Sequence, residues 1–266
     1  MRLEDYRSYY SAVLPIYSQI QTPTLRGAGW AALKQLANDF RYNPLVWFIA
    51  EAVKSVQDGK YVHDEVIIFG PPGSGKTSYA VSSMLYVLED VKEVRKRIVF
   101  DADDLKRLVN DIVAGQRYDV VLIDDPSSIG LSGTWTLRSA KEKRALLDLF
   151  DAFVYVKDFI ALVIFTVPRL VGVAKFFRDL ANWRVQVKKD GKVIFTRKEI
   201  ATSRSGTLKE VDLPVLFYYI EADKLKMPDA IWKEMLEKRK VVIDNKLKKF
   251  VEKLDELEAG DEEDVV

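Results

Sequence analysis

The stretch IIFGPPGSGKTSYA, residues 67–80, runs an apolar strand into a glycine-rich turn and then into a helix, with a lysine and a threonine at the junction. It fits the template G-x-x-x-x-G-K-[ST] at every fixed position: Gly70, Gly75, Lys76 and Thr77. Each residue type has a physical task. Glycines and the small Ser74 let backbone N–H groups curl around phosphate oxygens, and the following helix points its positive dipole end at the same anion. Lys76 is placed to reach the β- and γ-phosphates, and the Thr77 hydroxyl to hold Mg²⁺. The expected cradle is Gly70, Pro71, Pro72, Gly73, Ser74, Gly75, Lys76, Thr77 and Ser78, with ATP and Mg²⁺ as its occupants.

Working outward, the chain from residue 64 alternates strand and helix, as a parallel sheet requires. The strand of the phosphate loop covers about 65–69. KRIVFDA gives a second strand, followed by a helix from Asp103 to about Gly115. YDVVLIDD gives a third, and ALVIFTV, after a long helix over about 139–157, a fourth. Right-handed crossovers make this an α/β P-loop fold: a central, mostly parallel five-stranded sheet flanked by helices, with ligand at the carboxyl ends of the strands. Residues 1–60 read as an N-terminal helical region broken at Pro15, Pro23 and Pro44. The core with a β-hairpin is expected over 61–200, a C-terminal helical segment over 201–258, and a disordered acidic tail over 259–266.

In VVLIDDPSS an apolar strand delivers two carboxylates to the edge where the phosphate loop also ends. This is the Walker B arrangement. Asp124 is expected to hold Mg²⁺, generally through water, and Asp125 to orient or deprotonate the attacking water. One strand-helix unit separates the two motifs, so the fourth strand can insert between theirs. Thr166, at its end, then sits beside the γ-phosphate as a polar sensor; a plain strand cap before Pro168 is the alternative.

Composition excludes several other chemistries. The chain of 266 residues has 48% hydrophobic residues, enough for a sizeable core, and a net charge of +1 gives no global nucleic-acid signature. Zero cysteines rule out disulfides and thiolate chemistry, and the one histidine, His63, cannot alone make a zinc site; it reads as a surface residue. The longest apolar run, FIALVIFTVP, falls short of the roughly 18 residues a membrane span needs, and the N-terminus lacks a signal-peptide pattern. A cytoplasmic protein is the expectation. The 30% charged residues and scarcity of Asn and Gln lean toward a thermophile.

FGPPGSGKTSYA, FDADDLKRLVNDIVAGQRYDVVLIDD and VIFTVPRL together resemble the AAA+ ATPases of the replication-initiator and helicase-loader branch, the group including DnaA, DnaC and IstB. The resemblance covers roughly residues 60–185. It implies ATP hydrolysis by an oligomer acting in DNA replication or mobile-element maintenance, with DNA and a helicase or other replication protein as partners. It also implies an arginine finger acting on the neighbouring subunit's ATP, best matched by Arg178 and next by Arg184, and a helical lid that is here reduced to one long helix.

Three segments leave two uses open. The run WRVQVKKDGKVIFTRK, residues 183–198, flanks Asp190-Gly191, a strong hairpin signal, and its lysines and arginines could track a DNA backbone or only guard an exposed strand edge. They are expected beyond the strand ends that hold nucleotide. SSIGLSGTWTLRSA, with Trp135, is a nucleotide-responsive loop or a packed one. Ile243, Leu247, Phe250, Leu254 and Leu257 make two heptads that pack on the body or on another helix. Two functional alternatives stand beside the loader: a DNA-translocating motor for packaging or conjugation, and a slow nucleotide-switch scaffold.

Overall fold

The computed structural model describes residues 3–126, 158–170, 181–202, 208–225 and 227–263. The chain divides into two units, Met1–Met227 and Pro228–Val266. In the first, seven strands form one sheet: β1 (Asp64–Phe69), β2 (Ile98–Val99), β3 (Tyr118–Asp124), β4 (Ile160–Val167), β5 (Trp183–Val187), β6 (Lys192–Thr202) and β7 (Leu208–Tyr219). Their order is β2-β3-β4-β1-β5-β6-β7. The first five are parallel, and β6 and β7 are antiparallel additions on the β5 side.

The sheet thus has seven strands where the sequence suggested five. The hairpin is part of the same sheet, and β7 falls within the span 201–258 that was expected to be helical. Its sequence LKEVDLPVLFYY hides the strand behind charges and Pro214, a residue that cannot donate to a ladder and is confined to edges and bulges. Both conditions hold here. The strand β7 ends the sheet order, and the β6–β7 register shifts between Phe195 and Thr196, opposite Pro214.

Strand β4 is buried along its whole length, which explains its unbroken apolar run IALVIFTV: a central parallel strand is covered on both faces. One face packs Ile67, Val121, Ile123, Val163 and Phe165 with Leu105 and Leu108 of a helix running Ala102–Val113. The N-terminal region forms α1 (Leu3–Gln21), α2 (Arg26–Gln35) and α3 (Pro44–Gln57), with a 3₁₀ turn at Phe40–Tyr42. Pro15 lies inside α1 and does not break it. The lost backbone bond is offset by burial of Val13, Tyr17 and Ile20 on one stripe; the Tyr17 ring meets Phe217 of β7 edge-on at 5.6 Å.

After β1 come α4 (Lys76–Leu88), the short α5 (Val91–Lys96), which the sequence did not announce, and α6 (Ala102–Val113). Asp90 and Asp101 cap α5 and α6 with their side chains. The second unit holds α7 (Asp229–Glu263), which continues through most of the segment expected to be a disordered tail. On it, Ile243 and Leu247 are exposed. No described helix is long and apolar enough to cross a membrane.

His63 is half-buried, a correction to its reading as a surface residue. Its Nδ1 lies 2.7 Å from the Ile160 carbonyl and its Nε2 3.0 Å from Glu65 Oε1. Both partners are acceptors, so both ring nitrogens must carry protons. Burial opposes that charge, but the Glu65 and Ile160 hydrogen bonds outweigh it and raise the pKa above the ordinary histidine value.

Candidate nucleotide-binding site

The loop Gly70–Gly75 leaves the carboxyl end of β1 and enters α4 at Lys76. Gly75 stands at the N-cap in the left-handed region, φ 84°, with no side chain capping the helix. A helix N-terminus without a side-chain cap is the arrangement in which first-turn N–H groups receive an anion. Gly70 permits a close approach: a Cβ there would lie 2.0 Å from the Val187 carbonyl oxygen at the end of β5. On the far flank the Ala222 methyl packs where a Gly75 Cβ would sit, at 2.9 Å. Pro71, Pro72 and Gly73 form the exposed tip. Ser74 is buried, its hydroxyl without a protein partner, and Lys76 Nζ donates to the Pro71 carbonyl at 3.0 Å.

Strand order completes the site. Because β4 lies between β1 and β3, Thr166 is in register with Ile68 on one side and Asp124 on the other. Two hydroxyls converge on one carboxylate oxygen: Thr77 Oγ1 donates to Asp124 Oδ1 at 2.7 Å, and Thr166 Oγ1 donates to the same atom at 2.6 Å. Asp124 and Thr166 are almost fully buried, 3% and 2% exposed. Thr166 therefore bonds Asp124 directly, a contact the sequence reading, which assigned it to the γ-phosphate, did not contain. Asp125 follows with φ 46°, and its backbone N–H donates to the Thr166 carbonyl at 2.9 Å. Asp tolerates this left-handed geometry better than a longer side chain does, a local reason for Asp where many such sites have Glu.

Thr77 and Asp124 offer hydroxyl and carboxylate oxygens, the hard donors Mg²⁺ takes. Among the described residues no three His, Cys, Asp or Glu side chains cluster as a metal cage. Mg²⁺ is usually held by one or two protein groups together with substrate phosphates and water, so two such donors can suffice.

Of the other expected site residues, Arg178 lies outside the described residues, as does Trp135. Arg184 is on β5 between β1 and β6, and its Nη1 donates to Asp212 Oδ2 at 2.5 Å. It is committed to β7 within its own sheet. The hairpin's charges are partly consumed as well: Lys192 pairs with Asp190 at 2.7 Å and Arg197 with Glu199 at 3.7 Å. Its turn begins one residue after Val187, whose carbonyl lies against Gly70, so it sits at the edge where the phosphate loop also leaves the sheet.

A buried polar set behind α4 escaped the sequence reading. Asn43 caps α3 by accepting from Leu45 N–H, accepts the Tyr79 hydroxyl at 2.5 Å, and donates to Ser83 Oγ at 2.9 Å. These bonds fasten the phosphate-loop helix to the N-terminal region. The Asn43-Pro44 pair, a capping residue before a first-turn proline, was the available signal.

No family model matches the chain. It is similar to the uncharacterized protein B-251 of Sulfolobus spindle-shape virus 1, 23% identical over 215 residues, 73% of this chain and 79% of the relative. Among solved structures it is similar to the genome packaging NTPase B204 from Sulfolobus turreted icosahedral virus 2, in complex with ATP-gammaS, at 11% identity and a TM-score of 0.30. That match covers 57% of this chain and 98% of the other. A second likeness, at 13% identity and a TM-score of 0.31, is to the HORMA:CdnC:Trip13 complex of E. coli MS115-1, covering 71% of this chain and 66% of that one. Both structural likenesses are weak.

Proposed function

We propose that the chain binds ATP with Mg²⁺ at residues 70–78 and hydrolyses it, acting on DNA as an oligomer. The observation that carries the reading is the convergence of Thr77 and Thr166 on Asp124 Oδ1 beside an uncapped helix N-terminus. Thr77 and Asp124 would hold the magnesium ion, which when bound neutralises phosphate charge. Lys76 exchanges the Pro71 carbonyl for phosphate oxygens, and first-turn N–H groups of α4 take the rest of the charge. Asp125 accepts a proton from the water that attacks the γ-phosphorus as the bond to the β–γ bridging oxygen breaks, releasing ADP and phosphate. Arg178 of an adjacent subunit would stabilise the transferring group.

Two roles fit such an ATPase: a loader or initiator in replication or mobile-element maintenance, and a motor that translocates DNA. One feature favours the motor. After β5 the chain returns as β6 and β7 in the same sheet, where the loader resemblance calls for a helical lid.

The test is ATP hydrolysis by the wild type and Lys76→Ala, with and without single- and double-stranded DNA. Turnover lost in Lys76→Ala and strongly stimulated by DNA supports the motor; slow turnover dependent on a protein partner supports the loader. Tight ATP binding without turnover would leave a nucleotide switch. Wild-type turnover by Lys76→Ala overturns the site.

A further inference from the structure

We infer that Lys188 and Lys189, on the turn joining β5 to β6, hold the nucleotide's phosphates from the side opposite Asp124; the inference rests on the proposed nucleotide site. The turn is placed for this by the sheet. Strand β5 runs parallel to β1 and beside it, so both carboxyl ends reach the same edge. The Val187 carbonyl closes directly on Gly70, and Lys188 is the next residue. The phosphate loop therefore has Asp124 and Thr166 on its β4 side and the lysine turn on its β5 side.

The turn is also fixed in shape. Gly191 N–H donates to the Lys188 carbonyl at 3.1 Å, Lys188 N–H to the Lys192 carbonyl at 2.9 Å, and Ile220 N–H to the Gly191 carbonyl at 2.8 Å. Its one carboxylate, Asp190, is paired with Lys192, whose ammonium also lies 5.6 Å from the centre of the Trp30 ring. Lys188 and Lys189 have no ion pair among the described residues, and Lys189 is exposed. Two lysines outside any ion pair, Lys188 within electrostatic reach of Asp190, thus stand on a rigid turn that begins one residue after the strand end closing on Gly70.

Their task follows from charge. A nucleoside triphosphate spreads several negative charges along its chain, and Lys76 is the one lysine within the loop. The turn lies on the β5 side of the loop, away from Asp124, so phosphates bound on that side would come to these lysines. Flexible ammonium groups suit that contact, acting as point charges with freely rotating donors.

The test titrates a fluorescent ATP analogue and its ADP counterpart, with Mg²⁺, into the wild type, Lys188→Ala/Lys189→Ala, Lys76→Ala and Lys60→Ala. Lys60 precedes the other end of β1 and controls for the loss of a lysine remote from the loop. The double variant should weaken ATP and ADP alike, by about tenfold, with Lys60→Ala unchanged. Melting without nucleotide should match the wild type, since both side chains lie on a surface turn. Wild-type affinity for both nucleotides in the double variant overturns the inference. So does a loss confined to DNA binding, which would assign the turn to a DNA contact. Failure of the wild type itself to bind, with Lys76→Ala no worse, overturns instead the nucleotide site on which the inference rests.

Discussion

Replacing Thr166 by valine keeps the side chain's shape and removes one hydroxyl, a donor 2.6 Å from a carboxylate that is itself 3% exposed. A hydrogen bond to a charged group contributes about 1.5–3 kcal/mol. The Thr77 hydroxyl remains on the same oxygen, so Asp124 is not stripped bare, and the lower part of that range is the better expectation. For a domain of this size each kcal/mol moves the melting temperature by about 2–4 °C, so the nucleotide-free variant should melt about 3–8 °C lower. Thr166→Ser keeps the hydroxyl and should lose only about 1 kcal/mol for the missing methyl. Thr77→Val with Thr166→Val should cost more than the sum of the two, because only the double variant leaves Oδ1 with neither hydroxyl. The same proteins settle whether the hydroxyl reads the γ-phosphate. A hydroxyl that positions Asp124 alters ATP and ADP affinity in parallel. Wild-type melting together with a loss confined to ATP would refute the reasoning.

Asp125→Asn should keep the fold and nucleotide binding while turnover collapses, as seen by phosphate release; Asp125→Glu should lower stability by about 1 kcal/mol because the longer side chain must adopt φ 46°. His63 has a raised pKa in the fold, so its stabilising contribution is complete below the unfolded value near about 6.5 and fades as pH rises through the higher folded value. Urea unfolding should therefore show the wild type's advantage over His63→Gln at pH 5.5 shrinking by pH 8.5; an advantage independent of pH would remove the charged pair. Asn43→Ala removes a helix cap and strands the Tyr79 hydroxyl, so unfolding should be easier by about 2–4 kcal/mol, and an unchanged midpoint would contradict the buried network.

What could be seen in the sequence was local. Residues 67–80 form a strand, loop and helix whose geometry is set within fourteen neighbours, and the two carboxylates end a strand whose apolar run is visible without any partner. The insertion of β4 was readable because one strand-helix unit separates the two motifs. Less visible were features that depend on distant pairing. Thr166 meets Asp124 across 42 positions, and nothing in VIFTV says which acceptor its hydroxyl will find. Asp190 and Glu199 pair locally with Lys192 and Arg197, but one counter-charge of the hairpin is remote: Asp212, which pairs with Arg184, lies 28 residues on, in a strand hidden by Pro214. Arg178 belongs to neither group, lying outside the described residues.

The position of β4 also bears on how the chain acquires its shape. Its neighbours β1 and β3 are both parallel to it, and the β1 pairing joins residues 64–69 to 162–167, a closure of nearly a hundred residues that parallel topology makes slow. Until that strand enters, Lys76 and Asp124 belong to separate pieces of chain and the proposed nucleotide site is not assembled. Nucleotide should therefore leave the refolding rate nearly untouched and slow unfolding instead, so that a loaded molecule outlasts an empty one without having formed any sooner.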